Sequence, residues 1–363
     1  MTTEQILYKL RNDGRIKHLI DEFIRSSSND MARFRLQNER NIWRGNESIK
    51  VALEEKLRGL NGSLKVVMKE MIREAWELSE KENDRFVMNY LQAIPIATIG
   101  ADFLLRYFNR IAPSEKARKA VTLQNILSYD RNTEGLRAFL KNDLKLSKRV
   151  WRVTTSTKQA IRHYLAEGLA DGRSSALISQ DVRKFLQHPE TRFRRVRDPE
   201  TGKLKLSKPM ANFHPGRGVY RSAYKNAWRL ARTEVSRAYQ VADNARWQKL
   251  NFVTGFEVRL SANHPESDEC DALAGRYPKS FIFSCWHPQC ICFALPITLN
   301  KKDFARYLDT GKLSHRHFTT RIPGSASDWI RNNQSKIIKA PGKPYWVDDN
   351  FKIENQSLKL NLK

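Results

Sequence analysis

The sequence predicts an α+β fold that is predominantly α-helical: a helical N-terminal half followed by a small α+β module whose β-hairpin is closed by cysteines and a histidine. Three observations carry this prediction. Apolar residues recur at helical spacing through "IKHLIDEFIRS" and "SLKVVMKEMIREAWELSEKEN". Two alternating segments, "GFEVRLSA" and "CFALPITL", read as strands late in the chain. Between those segments, or opening the second, stands every sulfhydryl of the protein, Cys270, Cys285, Cys290 and Cys292, within 23 positions that also hold His287.

Residues 1 to about 145 read as mostly helical, a docking domain expected to span 1–148. Val67, Met71, Ile72 and Trp76 form one apolar stripe with charged residues opposite, the pattern of a helix packing into its own core. The segments "APSEKARKA" and "YDRNTEG" read as helix junctions, with Ser114 and Asn132 as caps. Residues 150–188 read as two helices joined at Gly172, the second capped by Ser174 or Ser175.

Apolar content then collapses over 190–217, where the turn "DPETGK" sits between two basic alternating segments and predicts a two-stranded projecting arm. From Val219 the helical period returns. Ala223, Ala227, Ala231, Ala238 and Ala242 leave room for another helix to approach closely. A module over 149–298 is expected to contain the arm, this helix and the two strands. Beyond it, over 299–363, "KKDFARYL" predicts a short helix, and the Pro/Gly-punctuated "KAPGKPYWVDDNFKIENQSLKLNLK" predicts an extended tail that seeks a partner.

Charge narrows the function. The 65 Lys and Arg against 39 Asp and Glu leave a formal +26, an excess whose self-repulsion points to a polyanionic partner. Between Arg183 and Arg232 stand 14 Lys and Arg against three acids, Glu190, Asp198 and Glu200. Arg192, Arg194, Arg195 and Arg197 on one side of the turn and Lys203, Lys205 and Lys208 on the other are the candidate nucleic-acid contacts. Cations placed so close predict salt-steep binding to phosphates without base reading. The most apolar stretch, "AIPIATIGA", is too short to span a bilayer and carries Pro95 and Gly100, so a membrane role rests on surface charge alone; nucleic acid is the better polyanion and no membrane partner is expected. The N-terminus has no basic region followed by an apolar run, so no secretory leader is expected. Clustered rather than dispersed cysteines point to a reducing compartment.

The cysteine cluster admits three uses. Cys270, His287, Cys290 and Cys292, at C-x16-H-x2-C-x-C spacing, supply the four nitrogen and sulfur donors that zinc takes, with Cys285 as a spare or exchange ligand. The same residues can pack as buried thiols without metal. A catalytic use lacks its companions: neither "HPESDEC" nor "HPQCIC" keeps the zinc-deaminase pattern, and no P-loop, H-E-x-x-H or G-x-S-x-G occurs.

Taken in order, these features resemble the phage Mu F-like minor head proteins, the phage head morphogenesis family. "ARTEVSRAYQVAD" matches that family's R-T-E…A-Y helix with Arg232, Thr233 and Glu234, and "SDECDALAG" its D-x-x-C…L-x-G turn with Asp268 and Cys270. "WHPQCIC" matches its closing H-P-x-C-x-C motif. The resemblance spans roughly 150–297. It departs where many members have a further cysteine, here Leu273, and an arginine, here Ile291, and the arm over 190–217 looks like an insertion. It implies a minor capsid protein of a tailed bacteriophage, located in the virion and in the host cytoplasm during assembly. Its partners would be the portal or major capsid protein and non-specifically bound double-stranded DNA. The resemblance brings no catalytic residues, so Arg232, Thr233, Glu234 and Asp268 are expected to be structural, Arg232 bridging a carboxylate within the module. The alternatives are a phage-encoded nuclease or toxin-type enzyme and a DNA-binding protein outside the capsid.

Overall fold

The computed structural model describes residues 2–12, 47–92, 133–141, 195–206, 223–264, 267–310, 312–340 and 343–362, with isolated positions 14, 18 and 211. The expected helices over 150–188, the junction at 112–120, the cap at Asn132 and the apolar stretch 93–101 lie outside the described residues. The chain divides into two units, each discontinuous in sequence. One comprises Met1–Arg11, Ile72–Phe139 and Thr233–Lys363, the other Asn12–Met71 and Leu140–Arg232. Both units thus draw on the expected docking domain and module, because the long helices run from one unit into the other.

The described elements begin with α1 (Thr3–Arg11), α2 (Glu47–Gln92) and α3 (Thr133–Lys141). The apolar stripe expected within α2 is there: Met71, Ile72 and Trp76 are buried, Val67 half-buried. Farther along, the same face turns polar, with Ser79, Glu80 and Asn83 also buried. Glu80 accepts from Trp76 Nε1 of the same helix at 3.1 Å, while Ser79 and Asn83 find partners on α4 (Ala223–Lys249). Ser79 Oγ and Asn83 Nδ2 each donate to Asp243 Oδ1 at 2.6 Å, and Trp247 Nε1 donates to Asn83 Oδ1 at 2.8 Å. Ala227, Ala231, Ala238 and Ala242 are buried along α4. Arg11 at the end of α1 donates to Ser236 Oγ of α4 at 2.7 Å.

The arm expected at 190–217 is a two-stranded hairpin over its described part. Here β1 (Arg195–Arg197) pairs antiparallel with β2 (Leu204–Leu206). Asp198 shapes the turn by accepting from the backbone of Glu200 and Thr201 at 3.0 and 3.1 Å, and Gly202 takes the left-handed conformation at φ 64°.

The sheet of the first unit is three-stranded and antiparallel, with β3 (Val253–Arg259) between β4 (Gly275–Tyr277) and β5 (Phe293–Thr298). The pairing of the two alternating segments is as the sequence predicts, Glu257 opposite Leu295 and Arg259 opposite Phe293. Among the described residues β5 is an edge strand, paired only with β3, where Pro296 is tolerated. Between β3 and β4 lies the short helix α5 (Glu269–Leu273), and after β5 comes α6 (Lys301–Thr310), the helix expected from "KKDFARYL". A 3-10 turn at His315–His317 leads to α7 (Gly324–Lys339).

The extended tail is corrected by the structure. Residues 345–360 fold into α8 (Tyr345–Asn350) and a hairpin of β6 (Phe351–Glu354) and β7 (Ser357–Leu360). Trp346, Val347 and Phe351 are buried in the same core as Phe256, Tyr277, Phe281 and Trp286. Asn350, 1% exposed, donates to Ile282 O at 2.8 Å and accepts from Ile282 N at 2.7 Å, as a neighbouring strand would. Pro344, itself extended at ψ 143°, is the cap residue that precedes α8, and Asn355–Gln356 form the left-handed pair of a tight hairpin turn. Among the described residues no helix is long and apolar enough to cross a membrane.

Candidate metal centre

Two pieces of irregular chain build the cluster. The first is the start of α5. Asp268 caps this helix: its Oδ1 accepts from Cys270 N at 2.7 Å, while Asp271 Oδ2 accepts from Asp268 N at 2.8 Å. This reciprocal box sets the direction in which Cys270 leaves the helix. The second piece is the loop 278–292 before β5, held by buried Phe281, Phe283 and Trp286, the last of which accepts through its carbonyl from Trp346 Nε1 at 3.2 Å. Cys285 and Gln289, on either side of Trp286–Pro288, adopt left-handed backbone at φ 67° and 64°. Such conformations in non-glycine residues cost on the order of 1 kcal/mol each and persist where surrounding contacts impose them. One such contact is Gln289 N donating to Thr233 Oγ1 at 3.0 Å, and another is the turn closed by Cys290 N on His287 O at 3.1 Å.

The two pieces bring Cys270, Cys290 and Cys292 together with their sulfurs within 4.8 Å of one another, all buried, a group that can hold a metal ion. Cys270 Sγ lies 3.8 Å from Cys290 Sγ. Zinc–sulfur bonds of about 2.3 Å place two thiolates of a tetrahedron about 3.8 Å apart. The expected fourth donor, His287, is not part of this group of three; its Nε2 lies 3.1 Å from Cys270 Sγ and 3.3 Å from Asp268 Oδ2. Its Nδ1 is 3.0 Å from Pro288 O. A carbonyl only accepts, so Nδ1 carries hydrogen and Nε2 is the atom offered to the sulfur, as in metal-bound histidines whose far nitrogen is tied to backbone. Cys285, the expected spare ligand, is buried and interacts with Cys290.

Electrostatics concentrate negative charge on one sulfur. Burial opposes ionisation of Cys290, but hydrogen bonds from Cys270, Cys285 and Cys292 and the charge of His287 hold it well below the usual thiol range. Cys285 is pushed up, first by its bond to Cys290 and then by burial. Burial works against protonation of His287, yet the Cys290 thiolate, the Pro288 carbonyl and the acids Glu269 and Asp268 carry it upward. The four thiols are free of disulfides. A set of soft donors converging on one point, one of them ready to ionise, is what a thiophilic cation requires.

The other expected site residues fare differently. Thr233 meets the closing loop through Gln289. Glu234 is buried and pairs with Arg237 one turn on at 3.0 Å, whose guanidinium also lies 4.1 Å from the centre of the Tyr345 ring. Glu234 therefore uses the i+3 partner of its own helix, as helical geometry requires, and Arg232 is half-buried. In the arm, Arg197, Lys203 and Lys205 are exposed; Lys205 pairs with Asp198 at 2.7 Å, and Arg197 donates to Gly202 O at 2.8 Å. Arg195 lies in β1, while Arg192, Arg194 and Lys208 lie outside the described residues. Sequence reasoning missed His264, whose Nε2 stands 3.3 Å from Asp268 Oδ1. Its signal was the four-residue spacing within "HPESD".

Comparison of the chain with protein-family models, with curated proteins and with solved structures finds no match.

Proposed function

We propose that this chain is a minor capsid protein of a tailed bacteriophage, acting in head morphogenesis with the portal or major capsid protein and binding packaged double-stranded DNA without sequence preference. The observation that carries the reading is the meeting of the family-like motifs. Thr233 of "RTE" accepts from the backbone of Gln289 in "HPQC", and Cys270 of "DEC" touches both His287 and Cys290. Motifs that lie apart in sequence thereby serve one clasp. In this clasp Cys270, His287, Cys290 and Cys292 hold a zinc ion that closes the module. Were all four residues to hold the ion, no position would be left for water, and its part would be structural. The basic arm supplies a patch for phosphates, with Lys203 at its exposed turn.

The assignment to the particle is tested by mass spectrometry and electron microscopy of purified heads. A few copies at the portal vertex are expected, and absence from the particle overturns it. For DNA, affinity should be equal for unrelated duplexes and fall steeply with salt. Replacing Lys203 and Lys205 by Ala should lower the salt slope by about 0.9 for each phosphate that is no longer neutralised. For the clasp, protein purified without chelator should carry about one equivalent of zinc, and Cys290→Ser should release it together with stability.

A further inference from the structure

The donors around Cys270 do not stop at the clasp. On its solvent side, His264, Asp268 and Cys270 form a second group whose ligand atoms lie within 4.8 Å of one another. His264 Nε2 is 3.3 Å from Asp268 Oδ1, long for a charge-assisted hydrogen bond. It is the separation expected of nitrogen and oxygen on one tetrahedral ion, about 3.4 Å for bonds of about 2.0–2.2 Å. We propose that the His264 imidazole, the Asp268 carboxylate and the Cys270 thiolate form a second, outer site for a zinc-like divalent cation, with Cys270 bridging it to the ion of the clasp.

Three features support the site beyond proximity. Its donors are held in place before any ion arrives. The backbone turn from His264 N to Ser261 O at 2.9 Å sets the histidine, and the capping box sets Asp268. The site is open on one side. Side-chain exposure is 11% at His264 and 35% at Asp268, whereas Cys270 is 1% exposed as a residue. Three protein donors and a free position facing water are the arrangement of exchangeable or reactive zinc rather than of a closed structural centre. The local charge also favours a cation: Asp268, Glu269 and Asp271 follow one another within four positions of a chain carrying +26. The mixture of sulfur, nitrogen and oxygen selects a borderline metal over magnesium or calcium, which take oxygen alone.

This inference rests on the clasp reading, because Cys270 bridges as a thiolate, its proton having been released to solvent when the inner ion binds. The test uses the full chain and zinc itself. Zinc is titrated against a chromophoric chelator, and the retained metal is counted by mass spectrometry. Wild-type protein should take about two equivalents, one held tightly and one more weakly. His264→Ala and Asp268→Asn should each weaken the second equivalent by at least about tenfold, about 1.4 kcal/mol, while the tight one remains. Asparagine still caps α5, so the Asp268 variant keeps its fold. Cobalt added to protein already holding one zinc should show a thiolate charge-transfer band that the His264 variant lacks. Saturation of the wild type at one equivalent overturns the outer site and leaves the clasp standing, as does a second equivalent that survives both substitutions. Binding of no zinc at all overturns the clasp as well.

Discussion

Asp243 offers the sharpest test of the packing between α2 and α4. Its carboxylate is 3% exposed and receives hydrogen bonds from Ser79 and Asn83 at 2.6 Å. Burial raises its pKa from 3.8 to about 7; the two hydrogen bonds pull it back only in part, and the nearby Glu82 adds to the rise. The folded state therefore binds this proton more tightly than the unfolded chain does. Below about pH 4 both states are protonated and the residue costs nothing. Between about pH 4 and pH 7 only the unfolded state ionises, so stability falls as pH rises, and above about pH 7 the full cost is present. A difference of about three pH units corresponds to a cost on the order of 4 kcal/mol. Asp243→Asn keeps the oxygen that accepts from Ser79 and Asn83 and removes the proton equilibrium. Urea unfolding of the two proteins across pH 4 to 8 should show the variant gaining stability relative to wild type as pH rises, by a few kcal/mol at pH 8. A variant that is less stable by the same amount at every pH would refute the reasoning, since it would mean that an ionised Asp243 is an asset in the folded protein.

Gly255→Ala should destabilise by about 1–3 kcal/mol in chemical unfolding, because the new Cβ would sit 2.6 Å from Thr319 Oγ1 and 2.9 Å from the fixed Tyr277 carbonyl. Thr233→Val keeps shape but removes the acceptor for Gln289 N–H. It should cost about 1–3 kcal/mol and weaken zinc retention, and unchanged retention would detach this helix from the clasp. Trp346→Ala should cost about 3–5 kcal/mol and expose the last twenty residues to protease, whereas a free tail would lose nothing.

Much of this architecture was legible in local patterns. The stripe through Met71, Ile72 and Trp76 marked α2, alternation marked β3 and β5 as partners, and the turn "DPETGK" marked the hairpin of the arm. The gathering of Cys270, Cys290 and Cys292 was foreshadowed by their crowding between the two paired strands. The C-terminal segment was misread because its prolines and glycine resemble the punctuation of an open chain. Only the core formed by Phe281, Trp286 and Tyr277 reveals why Trp346, Val347 and Phe351 are spaced as they are.

The sequence by itself thus determined the helical and strand periods, the turn of the basic arm and which donor residues crowd into one stretch, because each depends on residues close along the chain. Tertiary structure decided which polar residues are buried and which donors share a site. Ser79 and Asn83 look solvated until Asp243, some 160 positions away, meets them. His264 looks like a surface histidine until the cap of α5 turns Asp268 towards it and Cys270 inward. Burial and convergence are properties of two elements in contact, and no single stretch of sequence contains both sides.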